Sequence, residues 1–96
     1  MAIIRGHNMI NKELKSIDIK NFNNRLEFLK KYFILNSGIS NCYRNEYFLK
    51  PINIELLKNI DIELLKILLD RHYQGAWGNY INIDNNFNIK IVEYND

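Results

Sequence analysis

The residues best suited to chemistry lie in one short segment, residues 71–78. It reads Arg71-His72-Tyr73-Gln74-Gly75-Ala76-Trp77-Gly78. Two glycines therefore bracket the only tryptophan, directly after a helical pattern. A histidine in this position could act as a general base or a metal ligand. The alternative is structural: Gly75 ends the helix, Trp77 folds back onto the last turn, and Gly78 lets the chain turn into the next element. We expect the structural role.

His72 is predicted to project from the apolar face of the helix that precedes this segment. At 100° per residue, Leu64, Leu68, His72 and Leu65 fall within about 100° of arc. A buried imidazole needs hydrogen-bond partners, and the nearest candidates are backbone groups of the turn that follows. The only other histidine, His7, lies far away in the sequence, and no His/Cys pair has ligand spacing. We therefore expect neither a zinc site nor any other cofactor.

The same segment resembles the R-H-x-x-G-D-W-G signature of short plasmid- and phage-associated proteins that have no assigned function. The resemblance rests on Arg71, His72, Gly75, Trp77 and Gly78 and covers roughly residues 47–79. Two departures matter: alanine stands at position 76, where that family usually has Asp, and a short hairpin replaces the acidic stretch expected next. The resemblance implies a mobile-element setting, in a phage or a plasmid, and does not imply an activity.

Other signals for catalysis are weak in this sequence. The four glycines are scattered, so no phosphate-binding loop is formed, and no serine stands in a nucleophile elbow. Cys42 has no neighbouring base along the chain. The carboxylates Glu55, Glu63 and Asp70 are expected on solvated helix faces. We predict that the protein is not an enzyme, and the least favoured alternative is a small enzyme that uses His72.

Length and composition predict one small domain. The chain has 96 residues and 11.5 kDa, which leaves room for a single core. A lone cysteine excludes an internal disulfide framework and suits a reducing cytoplasm. No stretch approaches the ~20 apolar residues of a membrane span, so no membrane partner is expected. Met9 is an alternative start, which would make residues 1–8 a disordered or non-native leader.

Charge is distributed unevenly along the chain. Residues 1–50 carry nine Lys/Arg against four Asp/Glu, whereas residues 51–96 carry four against seven. This polarity favours docking on nucleic acid, on an acidic protein or on a second copy, and the alternative is an evenly solvated surface. The sequence pI of about 8.7 is low for a dedicated nucleic-acid-binding domain.

Periodicity and turn residues predict an α+β fold, with two main helices packed on a small antiparallel sheet that has a C-terminal β-hairpin. Asn21 and Asp61 are expected to cap the two main helices, and Ser37-Gly38 to end the first. The predicted elements are a short strand over 15–20, a helix over 21–36, a strand or tight hairpin over 41–49 that ends at Pro51, a helical turn over 53–58, a helix over 61–73 and a β-hairpin over 80–94.

These observations favour a non-enzymatic interaction protein of a phage or plasmid. Its expected action is stoichiometric inhibition of a host nucleic-acid-targeting defence complex, of the anti-CRISPR kind, by occluding a surface. The alternative is a small nucleic-acid-binding accessory protein that uses the basic N-terminal half. A homodimer could also form through the free hairpin edge. The expected contacts, chosen by residue type and exposure, are Tyr43, Arg44, Tyr47, Tyr80 and Tyr94, with Lys30 and Lys31 as steering charges.

Overall fold

The fold is an α+β domain with a four-stranded antiparallel sheet, as the sequence predicts. A computed structural model describes the backbone of residues 2–95 and the side chains of residues 9–95. The side chains of the predicted leader, residues 1–8, lie outside these described residues. The elements in chain order are α1 Ala2–Ser16, α2 Phe22–Tyr32, β1 Phe33–Ser40, β2 Arg44–Pro51, α3 Ile54–Leu57, α4 Ile62–His72, β3 Asn79–Ile83 and β4 Ile89–Tyr94.

The helices begin where side-chain caps are available. The Asn21 side chain accepts a hydrogen bond from the Asn24 N–H, and Asp61 accepts from the Leu64 N–H, which satisfies one of the free donors in each first turn. Both caps were expected from the sequence. The predicted strand over 15–20 is wrong, because α1 continues to Ser16 and a turn follows, closed by the Asn21 N–H on the Asp18 carbonyl.

The boundary between α2 and β1 differs from the prediction of a helix over 21–36. The helix ends at Tyr32, and β1 begins at the next residue, Phe33, with no loop between them. Phe33 donates its N–H to the Leu29 carbonyl and also pairs with Pro51 across the sheet. Apolar residues at positions 33–35 satisfy both a helical and an extended pattern, and pairing with β2 decides the outcome. Gly38 therefore lies within a strand and does not end a helix.

The sheet has the strand order β1-β2-β4-β3, with every neighbouring pair antiparallel. The predicted C-terminal hairpin is confirmed as β3 and β4. Of the strand or tight hairpin predicted over 41–49, the strand is observed: β2 is one strand, and it forms a longer hairpin with β1 through residues 41–43. Because β2 lies beside β4, the basic first half of the chain and the acidic second half share one sheet.

The core lies between one face of the sheet and the helices. On the sheet side, Phe33, Leu49, Ile89 and Ile91 are at most 2 % exposed. Side chains of α2 and α4 pack against them, among them Phe28, Leu29, Leu65, Leu68 and Leu69. Burial of this apolar surface, at about 25 cal/mol per Å², is the main favourable term in folding. The opposite face of the sheet carries the alternate residues of each strand and receives no helix among the described residues.

Candidate functional site

His72 is half-buried at the C-terminal end of α4, where it packs between two aromatic rings. Its ring stacks on Phe22 with centroids 4.8 Å apart and meets the edge of Tyr73 at 4.9 Å. Its Nδ1 accepts a hydrogen bond from the Arg25 Nε, at 3.1 Å. The predicted partner, a backbone group of the turn after α4, is therefore wrong. This hydrogen bond joins α4 to α2, because Arg25 lies 47 residues before His72 in the chain.

The guanidinium that binds His72 is itself buried. Arg25 is 7 % exposed, and its Nη1 donates to the Ile19 carbonyl. Since Nδ1 of His72 accepts from a cation, the neutral imidazole is the form that fits, with its proton on Nε2. Burial, followed by the Arg25 charge, lowers the pKa of His72 below its ordinary value. With one nitrogen occupied in this way, the ring is a structural acceptor for a buried cation.

Two tyrosines extend this cluster along the inner face of the sheet. The rings of Tyr73 and Tyr47 lie 4.6 Å apart, and the Tyr47 hydroxyl donates to Glu93 Oε1 at 2.9 Å. Burial raises the pKa of Tyr73 to about 12. Burial and the bond to Glu93 also raise the pKa of Tyr47. Tyr47, an expected partner contact, is thus half-buried and engaged within the fold.

The loop between α4 and β3 is hydrogen-bonded to the end of β4. The Trp77 N–H donates to the Tyr94 carbonyl at 3.0 Å, and the Tyr94 N–H donates to the Gly78 carbonyl at 2.9 Å. A Cβ on Gly75 would lie 2.7 Å from the Tyr94 carbonyl oxygen, so only glycine fits this approach. Gly78 has a φ of +104°, which L side chains rarely adopt. The predicted helix stop at Gly75 is wrong, because the C-cap of α4 is Tyr73.

Trp77 does not fold back onto the last turn of α4, as the sequence led us to expect. Its side chain is 72 % exposed. An exposed tryptophan on a loop held by three backbone hydrogen bonds is unusual for a purely structural residue, since a large apolar surface remains in water. This side chain therefore belongs with the candidate contact residues and not with the core.

Backbone contacts bring Trp77 to the same end of the sheet as three of the expected contacts. Tyr94 pairs with Arg44 across β4 and β2, and the Asn95 N–H donates to the Tyr43 carbonyl at 2.7 Å. Tyr43 is 72 % exposed and Tyr94 is 44 % exposed. We call this group the aromatic end: Tyr43, Arg44, Trp77 and Tyr94.

A second exposed surface lies on the side of the sheet away from the helices. The register places Asn36, Phe48, Lys90 and Asn82 in one row across all four strands. Tyr80, an expected contact at 53 % exposure, lies on the same side, paired with Val92. We call this surface the open face. Its exposed polar and aromatic residues are Asn36, Phe48, Lys50, Tyr80, Asn82 and Lys90, and the register places Arg44 and Tyr94 of the aromatic end on the same side.

The two expected steering charges lie elsewhere. Lys30 and Lys31 occupy the last turn of α2, at the beginning of β1, whereas the aromatic end lies beyond the other end of that strand. Eight residues at about 3.4 Å each separate the two regions. Lys31 also forms an ion pair with Glu13 at 2.9 Å. The structure therefore does not bring these lysines together with the tyrosines.

Sequence reasoning did not select Phe48 or Lys90 as contact residues, gave Trp77 a structural role, and did not anticipate that Arg25 is buried against His72. A signal existed for Phe48, because Tyr47, Phe48 and Leu49 alternate in a strand and one of them must face away from the core. No local signal identified Arg25, whose partner His72 is remote in sequence.

Known proteins give no guide to this site: comparison with protein-family models, curated proteins and solved structures finds no match. The resemblance drawn from residues 71–78 therefore stays a prediction. Among the side chains of residues 9–95, no three His, Cys, Asp or Glu residues are grouped so that they could hold a metal ion. Over the described part of the chain, no helix is both long and apolar enough to cross a bilayer.

Proposed function

We propose that this chain is a non-enzymatic binding protein that acts by stoichiometric occlusion of a protein partner, with the aromatic end as its main contact. The observation that supports the proposal is the grouping of Tyr43, Arg44, Trp77 and Tyr94, which come from three separate segments of the chain. Trp, Tyr and Arg are the residue types that contribute most binding energy in protein interfaces. Large exposed aromatic groups of this kind are costly for a protein that has no partner.

The backbone under these side chains is well ordered for binding. Strands β2 and β4 are paired along six residues each, and the Trp77 loop is bonded to Tyr94 in both directions. A contact surface that is already rigid loses less conformational entropy on association. The arrangement therefore favours recognition by a fixed surface.

The partner that we propose to test first is a host nucleic-acid-targeting defence complex. This choice rests on the mobile-element setting that the resemblance implies. In the mechanism we propose, the aromatic end covers a surface that the complex needs for its substrate. Such an inhibitor titrates its target at a fixed molar ratio and is not consumed.

The test is a nuclease-inhibition titration with purified complexes, combined with calorimetric binding to the complex that responds. Trp77→Ala and Tyr43→Ala should each weaken binding by at least tenfold, corresponding to about 1.4 kcal/mol or more. Both should keep the melting temperature of the wild type within a few degrees, because the side chains are exposed. Ile67→Ala is the matched control, since Ile67 is an exposed apolar residue on α4. A wild-type chain that inhibits no such complex, or a Trp77→Ala variant that inhibits as well as wild type, would contradict the proposal.

A further inference from the structure

We propose that the open face is a second binding site, for single-stranded nucleic acid. The site adjoins the aromatic end, whose Arg44 and Tyr94 lie on the same side of the sheet, and uses Phe48 and Tyr80 to stack on bases and Lys50 and Lys90 to contact phosphates. It does not depend on the protein partner proposed above. It also differs from the basic N-terminal half suggested by the sequence, because Tyr80 and Lys90 come from the acidic second half.

The aromatic rings of this face are accessible and spaced for an extended strand. Phe48 is 40 % exposed and Tyr80 is 53 % exposed. Tyr80 also has a diagonal neighbour on β4, Tyr94, at a Cα separation of about 7–8 Å. That spacing is about twice the 3.4 Å rise of stacked bases in a duplex, so Tyr80 and Tyr94 suit neighbouring bases of an extended single strand.

The position of Phe48 is fixed by its neighbours. Its ring edge lies only 2.6 Å from the point that a Cβ on Gly38 would occupy, so the ring rests directly over the glycine backbone. Lys90 Nζ lies 5.9 Å from the centre of the same ring. The ring edge is thus packed against Gly38 and the Lys90 cation lies over the ring, which places a positive charge where the phosphate of a bound nucleotide could reach it.

The charge of the open face favours a polyanion. Lys50 and Lys90 are both exposed. The carboxylate on this side, Glu46, is 9 % exposed and forms an ion pair with Arg44 at 3.3 Å. Its negative charge is thereby compensated. The amides Asn36 and Asn82 lie in the Phe48 row and can bond to base edges. An acidic peptide would use the lysines alone and would leave the rings without a role.

Fluorescence anisotropy with a labelled dT12 oligonucleotide tests the site. The wild type should bind at 50 mM salt, with affinity that falls as salt rises. Phe48→Ala should weaken binding roughly 5- to 150-fold, and Phe48→Tyr should restore most of the loss. Lys90→Ala should reduce the slope of log affinity against log salt by about 0.7, the value for one phosphate contact on a single strand.

Three controls establish that the oligonucleotide binds at the open face. Lys66→Ala removes an exposed lysine on α4 and should leave binding within threefold of wild type. Trp77→Ala should do the same, which distinguishes the open face from the aromatic end. A duplex of the same length should bind more weakly than dT12. The proposal is overturned if wild type does not bind dT12 at 50 mM salt, if Phe48→Ala binds like wild type, or if polyglutamate competes as well as dT12.

Discussion

Replacing His72 with alanine tests whether the imidazole is a structural acceptor or a reactive group. In the folded chain, the His72 Nδ1 satisfies the Arg25 Nε, and the ring stacks on Phe22. The His72→Ala substitution removes both interactions. It also leaves a guanidinium N–H without its acceptor at a residue that is only 7 % exposed.

The expected loss follows from these two contacts. An unpaired buried donor costs about 1–3 kcal/mol, and the lost ring stacking adds about 0.5–1 kcal/mol, at the low end because Phe22 is exposed. We expect the free energy of unfolding to fall by about 1.5–4 kcal/mol. For a domain of this size, that corresponds to a decrease in Tm of at least about 6 °C. Small domains have about 5–15 kcal/mol in total, so the variant should still fold.

Urea denaturation followed by circular dichroism gives the free energy of unfolding for each variant. Arg71→Ala is the matched control, because it removes the exposed neighbouring side chain and should change stability by less than about 0.5 kcal/mol. In an Arg25→Met background there is no guanidinium left to satisfy. His72→Ala should then cost only about 1 kcal/mol, from the lost stacking. An equal cost in both backgrounds, or an unchanged melting temperature for His72→Ala, would refute the structural role.

Two further predictions concern acid and the loop after α4. The fold lowers the pKa of His72 below 6.5, so the unfolded chain takes up this proton first as the pH falls. The stabilising effect of His72 is measured as the difference in unfolding free energy between wild type and His72→Ala. This difference should be complete above about pH 7.5 and should shrink as the pH falls below 6.5. A difference that grows in acid would contradict the lowered pKa. Gly75→Ala should lower stability by more than about 1 kcal/mol. The new Cβ would lie 2.7 Å from the Tyr94 carbonyl oxygen, so the loop has to move away from β4 to avoid the clash. Amide exchange should then speed up at Trp77, and protection equal to wild type would show that the loop stays attached.

Elements with strong local signals could be predicted from the sequence. For α4 the signals are the N-cap Asp61, the regular spacing of the leucines and the basic residues of the last turn. For the C-terminal hairpin they are the alternating isoleucines on either side of the turn that begins at Asp84. The end of α2 could not be found in this way, because residues 33–35 fit a helix and a strand equally well. Pairing with β2 makes these residues a strand, and β2 lies too far along the chain to be seen in the local pattern.

The candidate site was only partly predictable, for a similar reason. Tyr43, Arg44 and Tyr94 were expected contacts, and the structure gathers them at one end. Their proximity depends on the register between β2 and β4, which joins residues about 50 positions apart. Tyr47 was expected on the surface, yet the alternation places it on the inner face. Residue type alone does not tell which side of a strand faces water.

The direct junction of Tyr32 with Phe33 restricts how the length of this chain can vary. Each added residue rotates a helix by 100° but turns a strand over by 180°, so one insertion at this junction would direct Ile34 inward and Leu35, which is half-buried against the core, outward. The same insertion between residues 41–43 or 84–88 would only enlarge a turn. Length variation in related sequences should therefore be concentrated in those two turns and be absent at the junction.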